Sequence, residues 1–190
     1  MNKKIFSENC NLSSYTTIKV GGVAEYFAEP RSVEELSYLI KWANLNKQRC
    51  QIIGAGSNLL INNIFIKGLV VCTKKLKSLK IEPYSGIIEA EAGVMLPTLS
   101  NSLAKNGLQG GEWAVGIPGT LGGAIYMNAG TGNLSLAKNL ISVKVINNKT
   151  NEELVIEKKD INFEYRFSSF QRNDLVIISA KLHFLSLIHI

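Results

Sequence analysis
Histidine and cysteine are scarce in this chain of 190 residues. Its two histidines lie in the last eight positions, and its three cysteines, Cys10, Cys50 and Cys72, form no CxxC pair. A metal centre is therefore not expected, and the thiols are expected to be reduced. Long apolar runs are missing too. None approaches the roughly 18 residues of a membrane span, so no membrane partner is expected. The basic start, residues 1–8, has no apolar h-region behind it, which argues against a secretory signal and for a cytoplasmic protein. Internal repeats and low-complexity tracts are also absent. With 46% hydrophobic residues the chain can bury a sizeable core, and its length allows one or two domains.

Acidic residues are outnumbered, 15 against 21 Lys and Arg, for a net charge of +6. The densest basic cluster, Lys74, Lys75, Lys77 and Lys80, alternates with Leu76 and Leu79 and has no aromatic interleaved. It offers no base-stacking platform, and nucleic acid is not an expected partner. A solvated edge strand or surface turn fits better, where lysines discourage edge-to-edge aggregation. The positive balance also suits phosphorylated small molecules.

Hydrophobic periodicity reads as mixed α and β. Residues 15–20 are β-branched and end in Gly21-Gly22, and residues 23–28 alternate toward Pro30, so two strands are expected. Ser32 and Glu35 form a capping box for a helix with Val33, Leu36, Leu39, Ile40 and Ala43 on one face, ending over 44–47. A short strand, 51–53, runs into Gly54. Further strands are expected at 69–72, 77–81, 87–92, 141–146, 153–157 and 174–185. A helix from Pro97 to Asn106 is closed by Gly107. Asn147-Asn148-Lys149-Thr150-Asn151 is a hairpin-turn signal. The change of texture predicts a small α/β unit over 1–68 and a larger α+β unit over 69–185. Residues 185–190 are apolar, without a cap or charged tail, whereas chain ends are usually polar and frayed. Either the chain is a fragment or residues 186–190 are a non-native tail.

Two segments carry the chemistry. Gly54-Ala55-Gly56-Ser57-Asn58 follows a strand but lacks the Gly-Lys-Ser/Thr of a P-loop, and Leu59 stands where the dinucleotide fingerprint needs its third glycine. What remains is a turn exposing successive N–H groups, with the Ser57 hydroxyl and Asn58 amide as further donors to pyrophosphate. A plain tight turn between strands is the alternative. Gly116-Ile117-Pro118-Gly119-Thr120-Leu121-Gly122-Gly123-Ala124 runs on to Met127-Asn128-Ala129-Gly130, with five glycines in residues 116–130. Pro118 fixes φ, Gly119 and Thr120 expose their amides at the start of a short helix, and Gly122-Gly123-Ala124 lets the backbone pack tightly. Each helical glycine costs about 1 kcal/mol relative to alanine, which a purely structural segment has to explain. Two such loops predict a dinucleotide-sized ligand.

Arg166 sits among Phe163, Tyr165, Phe167 and Phe170. It is either a stacked surface cation or half of an ion pair, or a fixed guanidinium that clamps a carboxylate and stabilises developing negative charge. Trp113 and Tyr126 could cover a flat ring, although core packing is the commoner role for such aromatics.

In order and rough spacing, Thr16-Thr17-Ile18-Lys19-Val20-Gly21-Gly22, the Gly-Ala-Gly-Ser-Asn loop, segment 116–130 and Phe163-Glu164-Tyr165-Arg166 resemble the UDP-N-acetylenolpyruvoylglucosamine reductase family. These are flavoenzymes of peptidoglycan precursor synthesis, and the resemblance runs over residues 11–184. It implies an α/β (α+β), two-part FAD-binding module of the vanillyl-alcohol-oxidase (PCMH) type, with non-covalent FAD between its two units. By that resemblance Gly54, Ala55, Gly56, Ser57, Asn58 and Leu59 grip the pyrophosphate and cofactor backbone together with Gly116, Ile117, Pro118, Gly119, Thr120, Gly122, Gly123 and Ala124. Met127, Asn128, Ala129 and Gly130 lie near the flavin. In the family NADPH reduces the FAD. Hydride then passes to the enolpyruvyl double bond of a UDP-sugar, and an acid protonates the neighbouring carbon to give UDP-N-acetylmuramate. Arg166, with Tyr165 beside it, matches the family's arginine at the substrate carboxylate, where its charge would stabilise an enolate-like intermediate.

Two family features are missing. A Gly-Ser-x-Phe-Lys-Asn-Pro-like segment with the serine general acid, and a late glutamate, do not occur in the chain, and Ser168 and Ser169 stand in the wrong context. Thr131-Gly132-Asn133 also departs from the family's Ala-Tyr-Gly, a local loop change. The missing groups belong to a third, substrate-binding domain. The expectation is an FAD-binding fragment of a monomeric enzyme, with little turnover of its own, since loss of a general acid alone costs roughly 10²–10⁴-fold. Two alternatives stay open. One is another non-covalent FAD oxidoreductase of the same scaffold, acting on a small alcohol or sugar. The other is a non-catalytic nucleotide-binding module.

Overall fold
A computed structural model describes residues 5–62 and 64–187. Strand β1 (Phe6–Asn11) pairs antiparallel with β2 (Val23–Ala28). Helix α1 (Val33–Leu45) leads to β3 (Cys50–Ile53), and β4 (Phe65–Cys72) then inserts between β2 and β3, parallel to both, for a sheet order β1-β2-β4-β3. The start of α1 follows from its cap. The Ser32 side chain accepts from the Glu35 N–H at 3.3 Å, while the Glu35 carboxylate accepts from the N–H of Arg31 at 2.7 Å, one residue before the expected partner. Leu36, Leu39, Ile40 and Ala43 are fully buried, as the helical spacing requires. Strand β4 shows the two-residue period of a strand buried on both faces. Leu69 and Val71 join the α1 cluster, and Val70 and Cys72 pack with Leu12, Ala24, Phe27 and Ile53.

The chain continues through β5 (Leu79–Glu82), β6 (Ile87–Glu91), α2 (Leu96–Lys105), β7 (Leu108–Gln109) and α3 (Leu121–Tyr126). Next come β8 (Gly130–Thr131), β9 (Leu134–Ser135), α4 (Leu136–Asn139), β10 (Leu140–Asn147) and β11 (Glu153–Glu157). The tight hairpin β12 (Phe163–Glu164) and β13 (Phe167–Ser168) precedes β14 (Leu175–His183) and β15 (Leu185–Ser186). Five strands make an antiparallel sheet in the order β11-β10-β14-β6-β5. Leu96, Leu99 and Leu103 of α2 and Leu121, Ala124 and Ile125 of α3 bury one face of it with Val143, Val145, Ala180 and Leu182. From the same sheet Ile146, Val176 and Ile178 point into the α1 cluster, with Leu76 of the connecting segment. The two sheets thus share one apolar cluster through α1, which seats them beside each other and leaves a seam between them.

Three expectations are corrected. Residues 15–20 form no strand. A 3-10 turn, Leu12–Tyr15, is capped by Asn11, and the buried Thr16 hydroxyl donates to the Val20 carbonyl at 2.8 Å, so the β-branched run closes on itself as a loop. Residue 68, the expected boundary, falls inside β4, the strand that fills the middle of the first sheet, and the change of sheet comes after Cys72. The last expected strand bends at Phe184. Leu185–Ser186 pairs with β7 and the Leu187 N–H donates to the Gly107 carbonyl at 2.9 Å, so residues 185–187 are built into the fold. The rest of the expected tail, 188–190, lies outside the described residues. The lysine cluster behaves as expected: β5 is an edge strand, and Lys75 pairs with Glu29 at 2.8 Å.

Candidate functional site
A groove of about 1120 Å³ runs along the seam between the sheets. This is slightly above the roughly 300–1,000 Å³ usual for small-molecule sites, so it has room for a dinucleotide. One wall is the turn after β3, and Gly54, Ala55, Gly56, Ser57, Asn58 and Leu59 all line it. The facing wall is the entry to α3: Ile117, Pro118, Gly119, Thr120, Gly122, Gly123 and Ala124, followed by Met127 and Ala129. The Ser57 hydroxyl donates to the Pro118 carbonyl across the groove at 3.0 Å, which fixes the spacing of the walls.

Local chemistry explains both walls. The turn at 54–58 is braced from behind by the 15–17 loop, whose Thr17 N–H donates to the Gly56 carbonyl at 3.2 Å. The Gly54 carbonyl in turn accepts from the Cys72 thiol at 3.4 Å, and the N–H groups of Ala55, Gly56, Ser57 and Asn58 have no acceptor among the described residues. On the other wall Leu121 and Gly122 donate to the carbonyls of Val94 and Ala92, both at 2.8 Å, and this pins α3 against the end of β6. Gly122 is required by that contact, because a Cβ there would lie 2.9 Å from the Ala92 methyl. The Thr120 side chain caps α3 by accepting from the Gly123 N–H at 3.4 Å, and the N–H groups of Gly119 and Thr120 are left without acceptors among the described residues. Six unengaged amides thus line one groove. A helix of six residues has little dipole to add, so the amides themselves are the attraction. They fit the donor demand of a diphosphate.

Not every expected residue reaches the groove. Gly116, Asn128 and Gly130 do not line it. Gly130 instead packs against the Leu134 carbonyl in the β8–β9 hairpin. Arg166 does line the groove, at the tip of the β12–β13 hairpin, in left-handed backbone with φ 55°. Its guanidinium lies 5.6 Å from the Tyr165 ring centroid and has no carboxylate at ion-pair distance among the described residues. Tyr165 itself is 91% exposed and stays outside the groove lining. Ser168 is fully buried, its hydroxyl donating to the Tyr126 carbonyl at 2.8 Å, which makes it a structural tie. Tyr126 lines the groove and Trp113 does not.

Sequence reasoning missed two contributions. The far end of the groove is polar, lined by Gln48, Arg49, Asn148, Lys149, Asn173 and Asp174, with Lys149 paired to Asp174 at 2.6 Å. The Asn148 Oδ1 there is buried with no donor among the described residues. The second is the set of side chains that hold the hairpin. The Asn128 amide donates to the Glu164 carbonyl at 2.9 Å, and that of Gln171 to the carbonyls of Tyr126 at 2.9 Å and Arg166 at 3.2 Å. Asn128 and Gln171 are isolated in the sequence, so no local pattern marked them.

Cys50 lines the groove as well, and burial pushes its thiol up from 9.0 to about 12. The folded state therefore keeps a proton that the unfolded chain releases. The associated stability is fully present below pH 9 and is lost as the pH rises from 9 toward 12. Urea-unfolding midpoints are expected to fall steadily over that window, and Cys50→Ala is expected to flatten the slope. An equal slope in Cys50→Ala would assign the alkaline loss to other groups.

Comparison with known proteins agrees with this geometry. A family model described as FAD binding domain matches residues 24–154. UDP-N-acetylenolpyruvoylglucosamine reductase of Prochlorococcus marinus subsp. pastoris is 69% identical over 179 residues, covering 94% of this chain and 60% of the relative. The protein of the same name from Prochlorococcus marinus strain NATL2A is 47% identical, covering 96% and 62%. The chain thus spans about three fifths of the length of these relatives. Among solved structures, UDP-N-acetylenolpyruvylglucosamine reductase from Thermus caldophilus superposes with a TM-score of 0.77 at 29% identity, covering 95% of this chain and 63% of that one. An alkyldihydroxyacetonephosphate synthase shares the fold at a TM-score of 0.70 and 14% identity, over 98% and 39%. The α/β module with its two main sheets is therefore the expected FAD-binding type. Its matched segment holds most of the groove, and the chain belongs to the FAD binding domain family.

Proposed function
We propose that the chain is the FAD-holding part of a UDP-N-acetylenolpyruvoylglucosamine reductase that uses NADPH to make UDP-N-acetylmuramate, acting as a cytoplasmic monomer. The observation that carries the reading is the pair of amide runs, 55–58 and 119–120, whose residues line one groove and whose N–H groups have no acceptors among the described residues. Bound there, FAD supplies hydride transfer. The chain's own residues supply the rest. The six N–H groups bind the diphosphate, and the tie from Ser57 to Pro118 holds the two walls at the width this needs. At the hairpin end Arg166 lines the groove with no carboxylate at ion-pair distance among the described residues. There it orients a substrate carboxylate and offsets negative charge that develops beside it. The 69% identity to a reductase over 179 residues supports this substrate class.

Fluorescence titration of the purified chain tests the reading. FAD is expected to bind one to one, with FMN much weaker because it lacks the second phosphate and the adenosine. A chain that takes up no FAD, or that binds FMN equally well, would remove the diphosphate reading. ADP binding as tight as FAD would instead favour a nucleotide-binding module without redox chemistry.

A further inference from the structure
We propose that Gln171 is a positioning residue: its side-chain amide ties the turn that carries Arg166 to the C-terminal end of α3. The proposal rests on the reading above only for what Arg166 does. The tie itself stands on geometry.

The β12–β13 hairpin is a two-residue turn with only two strand residues on either side. Such a hairpin is marginal alone. Its second turn residue, Arg166, is held at φ 55°, a conformation that a non-glycine residue keeps only when its surroundings over-determine it. Three side chains do so. Ser168 donates to the Tyr126 carbonyl at 2.8 Å and Asn128 to the Glu164 carbonyl at 2.9 Å, and both act on the hairpin's strands. Gln171 alone of the three reaches the turn. Its Nε2 faces the Arg166 carbonyl at 3.2 Å, the Tyr126 carbonyl at 2.9 Å and the Met127 sulfur at 3.6 Å. Tyr126 and Met127 line the groove, so one amide sets how far Arg166 stands from that wall. Only a donor can do this, because both main partners are carbonyl oxygens.

Amide hydrogen exchange of the chain tests the tie with two variants. In Gln171→Met, which keeps the length and loses the donor, residues 164–168 are expected to exchange about tenfold faster, the worth of one or two net hydrogen bonds. Exchange in α1 and β10 is expected to stay the same. Gln171→Glu is expected to match Gln171→Met at pH 7 and to regain protection relative to the wild type as the pH falls below about 4.3. There the protonated carboxyl can donate again, which a purely steric role would not reproduce. An unchanged hairpin in Gln171→Met, a loosening of the whole chain, or no recovery of Gln171→Glu at low pH would each overturn the proposal. If the hairpin loosens but Arg166→Met leaves turnover of a full-length protein intact, the tie is sustained and only the role given to Arg166 falls.

Discussion

Gly56→Ala is expected to weaken FAD binding by about 100-fold or more while leaving most of the chain folded. Gly56 is buried at φ 66°, and a Cβ there would lie 2.0 Å from the Tyr15 carbonyl oxygen and 2.9 Å from the Thr16 Cα. Both obstacles are backbone, so no rotamer change relieves them. Either the 15–17 brace moves out or the 54–58 turn moves into the groove. In both cases the bond from Thr17 N–H to the Gly56 carbonyl is lost and the amides of Ala55 to Asn58 no longer converge. Losing two hydrogen bonds to a charged diphosphate, each worth about 1.5–3 kcal/mol, amounts to at least a hundredfold in Kd. Gly132→Ala is the matched control. It also sits at positive φ, 56°, but its Cβ would meet nothing within 4 Å, and it lies outside the groove lining. It is expected to lose a little stability and no affinity. Fluorescence titration and thermal unfolding of both variants check this. FAD affinity within a few-fold of wild type in Gly56→Ala would sink the role given to the 54–58 turn.

The same loop shows why part of the site was legible in the sequence and part was not. Helix α1 was readable because its cap and its buried face are local, as were the Pro97 and Gly107 ends of α2 and the asparagine-rich turn at 147–151. The glycine turn was readable as a cradle because a bare backbone after a strand has few other uses. Its brace was not. Residues 15–20 carry the composition of a strand, and nothing local says that Thr16 bonds within its own loop while Thr17 holds Gly56 forty residues on. Strand β4 misled for a related reason. The texture does change near residue 68, but pairing between β2 and β3 is a property of the sheet and not of the segment. Gly122 was readable as a close-packing position and is one, packing on Ala92, whereas its neighbour Gly123 is exposed.

Arg166→Met is expected to lower kcat of a full-length reductase carrying this segment by about 10²–10³, the usual effect of removing one group that stabilises developing negative charge. FAD affinity is expected to stay unchanged, since the amides at 55–58 and 119–120 hold the diphosphate without it. Three readings of Arg166 were open from sequence, a stacked surface cation, half of an ion pair and a fixed clamp, and no ion-pair partner stands near it among the described residues. The guanidinium does lie over Tyr165, at 5.6 Å. A surface stack, however, needs no left-handed turn and no ties to α3, and this residue has φ 55° and a carbonyl bonded to Gln171. Such backbone strain, of order 1–3 kcal/mol, is retained where position matters. Arg166→Lys separates charge from geometry: it keeps the cation and loses the fork that grips a carboxylate in two places. It is therefore expected to recover part of kcat and to leave KM raised. Steady-state kinetics with separate kcat and KM decide the matter. If Arg166→Met retains turnover within tenfold of wild type, the stacked-cation reading is correct and the charge stabilisation lies with other groups.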